Sequence, residues 1–385
     1  MTLIYLLIVS LLCLYVTRTF YDKFWDRGLT AEVLFSKCEV EEGQKLYLKE
    51  KVENHKWLPL PTLMVKFEMD RNIVCVDGAK TSITDRQYRN DWVAAMPYKR
   101  VTRSIEIIGT KRGYYNIEEI RLVTNDILFR ERLSKSVSNQ TELYVYPSRS
   151  KFIRLPEIFC RMYGECLINR QLQEDSMEFI GIRDYVQTDS MRKINWKASA
   201  RVGSLKVNQY QDSSSQRLTI FLNVSQNGIL RYYDLIEESI RISRNFLEEF
   251  VQKGIPVRII SNGVDKVTGK EIFIREGAGL AHIDACLKEL AKMDIYAPVR
   301  NMDELIREQN ATEGEVSLLI SAEQSAELGE TYLNYAGEDG SANWLIPIHS
   351  SMKTYLSEHV SNQTLRGNNG NYIHTEYLVM EELGQ

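Results

Sequence analysis

The stretch from Arg183 to Arg201 gathers side chains that can do chemistry: Arg183, Asp184, Tyr185, Asp189, Arg192, Lys193, Trp196, Lys197, Ser199 and Arg201. A helix starting near Asp189, with Asp189 or Ser190 as its cap, puts Arg192, Trp196 and Ser199 on one face and Lys193, Lys197 and Arg201 on another. Basic side chains beside a helix N-terminus favour a phosphate or a partner's carboxylates, and arginine with tryptophan is the composition of an interface anchor. Two other readings compete. Arg183, Asp184, Asp189 and Arg192 can pair among themselves and clamp the flanking domains together while the lysines stay solvated, and the local balance of acids and bases favours this. Alternatively, Asp184 or Asp189 with Arg192 and Ser199 could serve a hydrolase or a binder of anionic ligands.

Catalytic signals elsewhere are thin. His55, His282, His349, His359 and His374 have no motif spacing, and neither Cys166 nor Ser225 sits in a nucleophile elbow. Gly277-Ala278-Gly279 before Leu280 reads as a turn and not as a phosphate loop. Cys13, Cys38, Cys75, Cys160, Cys166 and Cys286 lack the paired spacing of a zinc site or a disulfide framework, so they are expected as reduced thiols. The sequence therefore predicts no complete catalytic site, no cofactor and no metal. A net charge of -4 nominates no nucleic-acid partner.

An apolar run opens at Leu3 and, with Arg18 snorkelling toward headgroups, closes at Phe20. Tyr21, Phe24 and Trp25 follow as an expected interfacial aromatic belt. No basic region precedes the run and no small-residue cleavage site follows it, so the expectation is a retained single-pass anchor in the cell membrane. Positive charge at Arg18, Lys23 and Arg27 lies after the span, which puts the soluble part in the cytoplasm.

Beyond residues 1–28, the anchor and its juxtamembrane segment, period-two alternation dominates residues 29–147. Leu63, Val65, Phe67 and Met69 are one such run, and Lys111-Arg112-Gly113 marks a hairpin with glycine expected at positive φ. Roughly seven short strands predict an immunoglobulin-like β-sandwich. Residues 148–215 form a helix-leaning connector that carries the charged stretch, with Gly203 as a helix stop. From 216 to 350 strand and helix alternate: an apolar strand at residues 218–224, then Ile236, Ile240, Leu247 and Val251 at helical spacing until Gly254 and Pro256. A second strand ends before an Asn262-Gly263 turn, and Ser321 with Gln324 reads as a capping box. This alternation predicts a doubly wound, mainly parallel sheet, followed by a tail over 351–385. The expected class is thus an α+β multidomain chain.

The residues Arg183-Asp184-Tyr185, Asp189, Arg192, Ile194, Asn195, Trp196, Lys197, Ala198, Ser199, Ala200 and Arg201 closely resemble the signature of a bacterial and archaeal family. That family is catalogued as domain of unknown function fifty-eight, and its pattern reads Arg-x-Tyr, Gly-Asp, then Arg-x-Ile-x-Trp-Lys-x-Ser-Ala-Arg. Glu42-Gly43, Asn54, Leu58-Pro59-Leu60-Pro61, Lys111-Arg112-Gly113-Tyr114 and Val145-Tyr146-Pro147 match further landmarks of its β region. The resemblance implies N-terminal membrane helices, a β-sandwich and a C-terminal region similar to a von Willebrand factor A domain. Genes of such members commonly neighbour those of MoxR-type AAA+ ATPases, so the resemblance implies an accessory or adaptor role with such an ATPase, and with no complete catalytic site in the sequence the expectation is a non-enzymatic adaptor. Two features depart from the pattern: Thr188 replaces the glycine before Asp189, and one span stands where many members have a pair. Asn223-Val224-Ser225-Gln226-Asn227 occupies the place of the Asp-x-Ser-x-Ser metal motif of von Willebrand factor A domains. Asn223, Ser225 and Asn227 supply only neutral oxygens, so a hard cation such as Mg²⁺ is expected to bind poorly.

Overall fold

The computed structural model describes residues 2–76, 81–83, 86–125, 132–176, 179–186, 189, 191, 194–210, 217–225, 232–311, 315–336, 341–350, 365–366 and 372–380. The chain divides into two compact units, Met1–Ser148 and Arg149–Gln385.

Apolar residues without a polar stripe make the first unit's opening segment one helix, α1 (Thr2–Phe24), long and apolar enough to cross a membrane. Strands follow as β1 (Leu29–Phe35), β2 (Glu39–Glu41), β3 (Lys45–Asn54), β4 (Leu60–Asp70), β5 (Ile73–Cys75), β6 (Thr81–Ile83), β7 (Arg86–Ala95), β8 (Arg100–Gly109), β9 (Gly113–Asn125) and β10 (Arg132–Tyr146). They form two sheets, ordered β1-β3-β8-β5 and β2-β10-β9-β4-β7-β6. In β1 the alternation puts Leu29, Ala31, Val33 and Phe35 inward, and the inward rows of both sheets merge into one core, as in a β-sandwich. Ten described strands replace the expected seven because β2, β5 and β6 are three residues each, too short to show alternation in a sequence. A bulge in β10 releases Asn139, whose amide accepts from Val33 N at 3.1 Å and donates to Val33 O and Ile117 O at 3.0 and 2.9 Å, stitching one sheet to the other.

Two expectations are corrected here. Tyr21 and Trp25 are not a membrane belt: at 3% and 6% exposure they belong to the sandwich core, because the last turn of α1 packs onto the sandwich. Gly113 is required for space and not for positive φ, since a Cβ there would meet the Tyr115 ring at 2.7 Å. That ring is fixed by its hydroxyl, which donates to Lys111 O at 2.8 Å.

The second unit contains α2 (Leu155–Ser176), β11 (Phe179–Asp184), α3 (Trp196–Val202), β12 (Lys206–Tyr210), β13 (Leu218–Asn223), α4 (Tyr233–Gln252) and β14 (Val257–Asp265). It continues through β15 (Glu271–Gly277), α5 (Leu280–Lys292), β16 (Met293–Asp294), α6 (Met302–Arg307), β17 (Val316–Ser321), α7 (Ala326–Ala336), β18 (Ser341–His349), β19 (Leu365–Arg366) and β20 (Tyr372–Met380). β14, β13, β17, β18 and β20 lie side by side and parallel, with β15, β16 and β19 added antiparallel. β13 and β17 are buried along their whole length, the signature of a sheet covered on both faces. Tyr332 of α7 and Met302 of α6 pack with Phe221 and Leu319 on one face, and α2, α4 and α5 pack together on the other. The chain leaves β13 toward β14 on one side and later returns to β17 on the other, so a topological switch point lies between β13 and β17.

Here too the structure revises the sequence reading. The segment expected as a tail holds β20, which pairs with β18 from Ala342 to His349, because its buried Ile373 and Leu378 extend the core. The helix-leaning connector supplies α2, whose packing the sequence left open: Leu155, Ile158, Met162 and Cys166 recur at helical spacing and are buried. Asn262-Gly263 is not a turn, for β14 runs through it to Asp265 with Asn262 fully buried. Ser321 does not cap α7; Ser325 does, accepting from Leu328 N at 3.2 Å, while Ser321 Oγ is taken by Glu323 N at 3.0 Å.

Candidate functional site

The charged stretch folds as an antiparallel pair, β11 on β12, with α3 in the connection. Its helix does not begin at Asp189. Ile194 bridges Val207 and Asn195 N donates to Lys206 O at 2.8 Å, which pin these two residues to β12 just before α3 opens at Trp196. Asn195 is the cap, its Oδ1 accepting from Ala198 N at 2.9 Å, and Gly203 closes α3 in the left-handed region at φ 77. A seven-residue helix whose cap is already filled offers no phosphate site at its N-terminus. Arg192 and Lys193, with Ser190 and Thr188, lie outside the described residues, so the two expected stripes are not seen as such.

What remains of the motif is internally paired. Arg183 donates through Nη1 to Asp189 Oδ2 at 2.7 Å and through Nη2 to Oδ1 at 2.6 Å, a two-pronged bond that pushes the guanidinium pKa up. Asp189 also accepts from Val186 N at 2.9 Å, and Lys206 Nζ donates to Asp184 Oδ1 at 2.6 Å. These pairs stand near the surface, so their work is to hold geometry more than to add stability. Tyr185 joins the same ribbon through its amide, which donates to Leu205 O at 3.0 Å. Ser199 is buried, donates to Asn195 O at 2.8 Å and accepts from Lys206 N at 2.8 Å, which occupies its hydroxyl in holding α3 to β12. Outward face Trp196, 65% exposed, with Lys197 and Arg201, and Ile182, Val186, Met191, Val202 and Leu205 are also exposed.

A second polar cluster sits at the switch point, where Asn223 at the end of β13 lies opposite Ser321 at the end of β17. Asn223 Oδ1 accepts from Ser225 N at 2.9 Å, Ser225 Oγ at 2.7 Å and Asn262 Nδ2 at 2.9 Å. Its Nδ2 donates to Ser321 Oγ at 3.0 Å and to Glu323 Oε2 at 3.1 Å, and Glu323 Oε2 lies 2.9 Å from Ser225 Oγ, a second acceptor for the one hydroxyl proton. The orientation is anchored by backbone, because Asn262 Oδ1 accepts from Val224 N at 2.9 Å. Asn223 thus points an N–H donor at the oxygens a hard cation would need, so this donor set does not fit Mg²⁺. Of the positions expected here, Asn223 and Ser225 come together and Asn227 lies outside the described residues. Glu323 and Asn262 were missed. The signal for Glu323 was its place two residues past a buried strand at the switch point, whereas Asn262 was hidden by the turn-like Asn-Gly pair.

At the opposite end of the sheet, Glu315 is buried among Arg217, Arg258, Thr219 and Tyr335, with Arg258 Nη2 at 2.9 Å and Tyr335 Oη at 3.0 Å. Ligands bind at the carboxyl ends of such strands, so this amino-end cluster reads as a clamp. Cys286 lies 3.4 Å from His282 Nε2, but that nitrogen also meets Val257 O at 2.9 Å and so carries a proton. Burial pushes the Cys286 thiol up to about 12, the opposite of an activated nucleophile. Among the described residues no group of three or more His, Cys, Asp or Glu side chains could hold a metal ion.

The fold and these clusters define a chain with an apolar N-terminal helix, a β-sandwich and a doubly wound α/β unit that carries a polar cluster at its switch point. No family model matches it. It is 22% identical over 351 residues, 85% of this chain and 82% of the other, to a Bacillus subtilis (strain 168) protein described as "Uncharacterized protein YeaD". Similar solved structures include the CARDB domain of a Pyrococcus furiosus protein, 14% identical over 29% of this chain and 90% of that one, with a TM-score of 0.19. A non-cellulosomal cohesin from Archaeoglobus fulgidus is 10% identical over 30% of this chain and 91% of that one, with a TM-score of 0.21. Scores of this size carry no argument about the fold or its use.

Proposed function

We propose that the protein is a membrane-anchored, non-enzymatic adaptor of the domain-of-unknown-function-fifty-eight type. In this reading α1 anchors it, the β-sandwich spaces it from the bilayer, and the surface at Trp196 docks a protein partner of the MoxR-type AAA+ ATPase class. The observation that carries the docking role is the contrast within the motif: Arg183, Asp184 and Asp189 are paired with one another or with Lys206, while Trp196 stands exposed on α3, the short helix that also carries Lys197 and Arg201. A protruding tryptophan flanked by cations is a composition that anchors protein interfaces. The α/β unit is read as a relative of the von Willebrand factor A domain, supported by its doubly wound sheet and by Asn223 and Ser225 at the switch point. Its partner contacts are then independent of metal, since an amide replaces the carboxylate.

The experiment is binding of purified full-length chain in detergent to a purified MoxR-type ATPase, read by biolayer interferometry. Trp196→Ala should weaken binding by at least about tenfold, the loss typical of an interface anchor, with an unchanged melting temperature. The double variant Lys197→Glu, Arg201→Glu should do the same. Retained affinity in both variants, or no affinity in the wild type, removes this reading. The hydrolase alternative gains instead if the wild type turns over an anionic ester and Asp189→Asn abolishes it.

A further inference from the structure

We infer that the end of the β-sandwich next to α1 is seated in the headgroup layer of the membrane that α1 crosses, with Trp57 and Tyr98 as its interfacial side chains. The inference rests on the anchoring part of the proposed function.

Helix length sets the depth. Tyr21 and Trp25 are buried in the sandwich, so the portion of α1 free to lie in lipid ends at Phe20. At ~1.5 Å per residue, Thr2 to Phe20 spans about 28 Å, close to the ~30 Å of a hydrocarbon core. Phe20 is therefore at the boundary between acyl chains and headgroups. The junction below it is firm: Lys56 Nζ donates to Trp25 O at the end of the helix, and Lys135 Nζ donates to Asp26 at 3.1 Å.

Trp57 shares this level. Its ring centroid is 5.8 Å from that of Phe20, which lies 4.4 Å from Phe24, and Trp57 is 60% exposed. The neighbouring loop is tied in through Tyr98 N, which donates to Lys56 O at 3.3 Å, and Tyr98 is 72% exposed. Tyr98 has φ 54, a left-handed conformation unfavourable for a bulky residue, so the loop presents this ring against a local cost. Lys23, Arg27 and Lys99 are exposed on the same end, with the Arg27 guanidinium 4.9 Å from the Phe24 ring centre. Amphipathic rings beside cations match the boundary of a bilayer containing anionic lipid. Trp57 and Tyr98 thus take the interfacial role that burial denies to Tyr21 and Trp25.

The test uses the full chain in proteoliposomes of phosphatidylcholine and phosphatidylglycerol, with and without bromine on the upper acyl chain. Bromine should quench part of the wild-type tryptophan fluorescence. Trp57→Phe should cut that quenched fraction at least twofold, and adding Tyr98→Trp to that variant should restore it. Equal quenching in wild type and Trp57→Phe, in vesicles with which the chain floats, overturns the inference and leaves the anchor intact. A chain that does not float with lipid removes both. Shielding of Trp57 from aqueous iodide without bromine quenching assigns the surface to a protein and also overturns it.

Discussion

Glu53 shows how a single residue can tie stability to pH. Its carboxylate meets Lys51 Nζ at 2.7 Å, Arg100 Nε at 2.7 Å and His55 Nε2 at 2.9 Å. The Lys51 bond, opposed by desolvation and reinforced by Arg100, holds its pKa down to about 2. A carboxylate depressed in the folded state stabilises fully above its unfolded value and loses that contribution as pH falls toward the folded one. Stability should therefore decline between about pH 4.5 and pH 2, and Glu53→Gln should flatten that decline, as urea unfolding at stepped pH would show. An unaltered slope in the variant would assign the acid sensitivity to other carboxylates. At this scale the sequence was legible by residue type but not by environment. Tyr21 and Trp25 have the same amphipathic chemistry in a lipid belt and in a core, and only the packing of α1 tells them apart. Arg183 and Asp189 were readable as a pair, whereas the cap at Asn195 depended on the long-range bridge between Ile194 and Val207.

Among the elements, the strand ends at the switch point hold the chemistry most open to design. Asn223→Asp would bring a carboxylate against Glu323 in the space now bridged by the amide nitrogen. Like charges at that separation are costly unless a cation joins them. The variant should melt lower than wild type in chelator and recover with millimolar Mg²⁺ or Mn²⁺, while the wild type responds to neither. A chelator-sensitive wild type would contradict the account of Asn223 as the cation's replacement. Strands rich in apolar residues on both faces, β13 and β17, were plain in the sequence because both faces are covered. β14 was cut short on paper since Asn-Gly usually turns, yet here the Asn262 side chain is consumed by Asn223, Val224 N and Arg300 O, and the strand runs on through the pair to Asp265 with a register shift against β15. β20 was missed because it lies apart from the alternating run and joins the sheet only through its pairing with β18.

For the molecule as a whole, the proposed sidedness rests on where the cations fall. Arg18, Lys23 and Arg27 come after the apolar stretch, so the anchored reading puts both soluble units in the cytoplasm. Cys38 and Cys160 are exposed, one in each unit. A maleimide that cannot cross bilayers should leave both unmodified in intact cells and label both after lysis. Labelling before lysis would invert the topology. Strand-rich and alternating halves were visible in the sequence from periodicity alone, but the residue at which α1 begins to pack on the sandwich was not, because nothing local in an apolar helix marks where it starts meeting protein. That shared turn has a practical outcome for anyone making a soluble form. A truncation placed by hydropathy, just after Trp25, would strip two aromatic plugs from the sandwich, each worth about 3 to 5 kcal/mol when lost from an interior. The stable product must instead keep the helix stub from Tyr21 onward, so that the excised fragment carries its own lid.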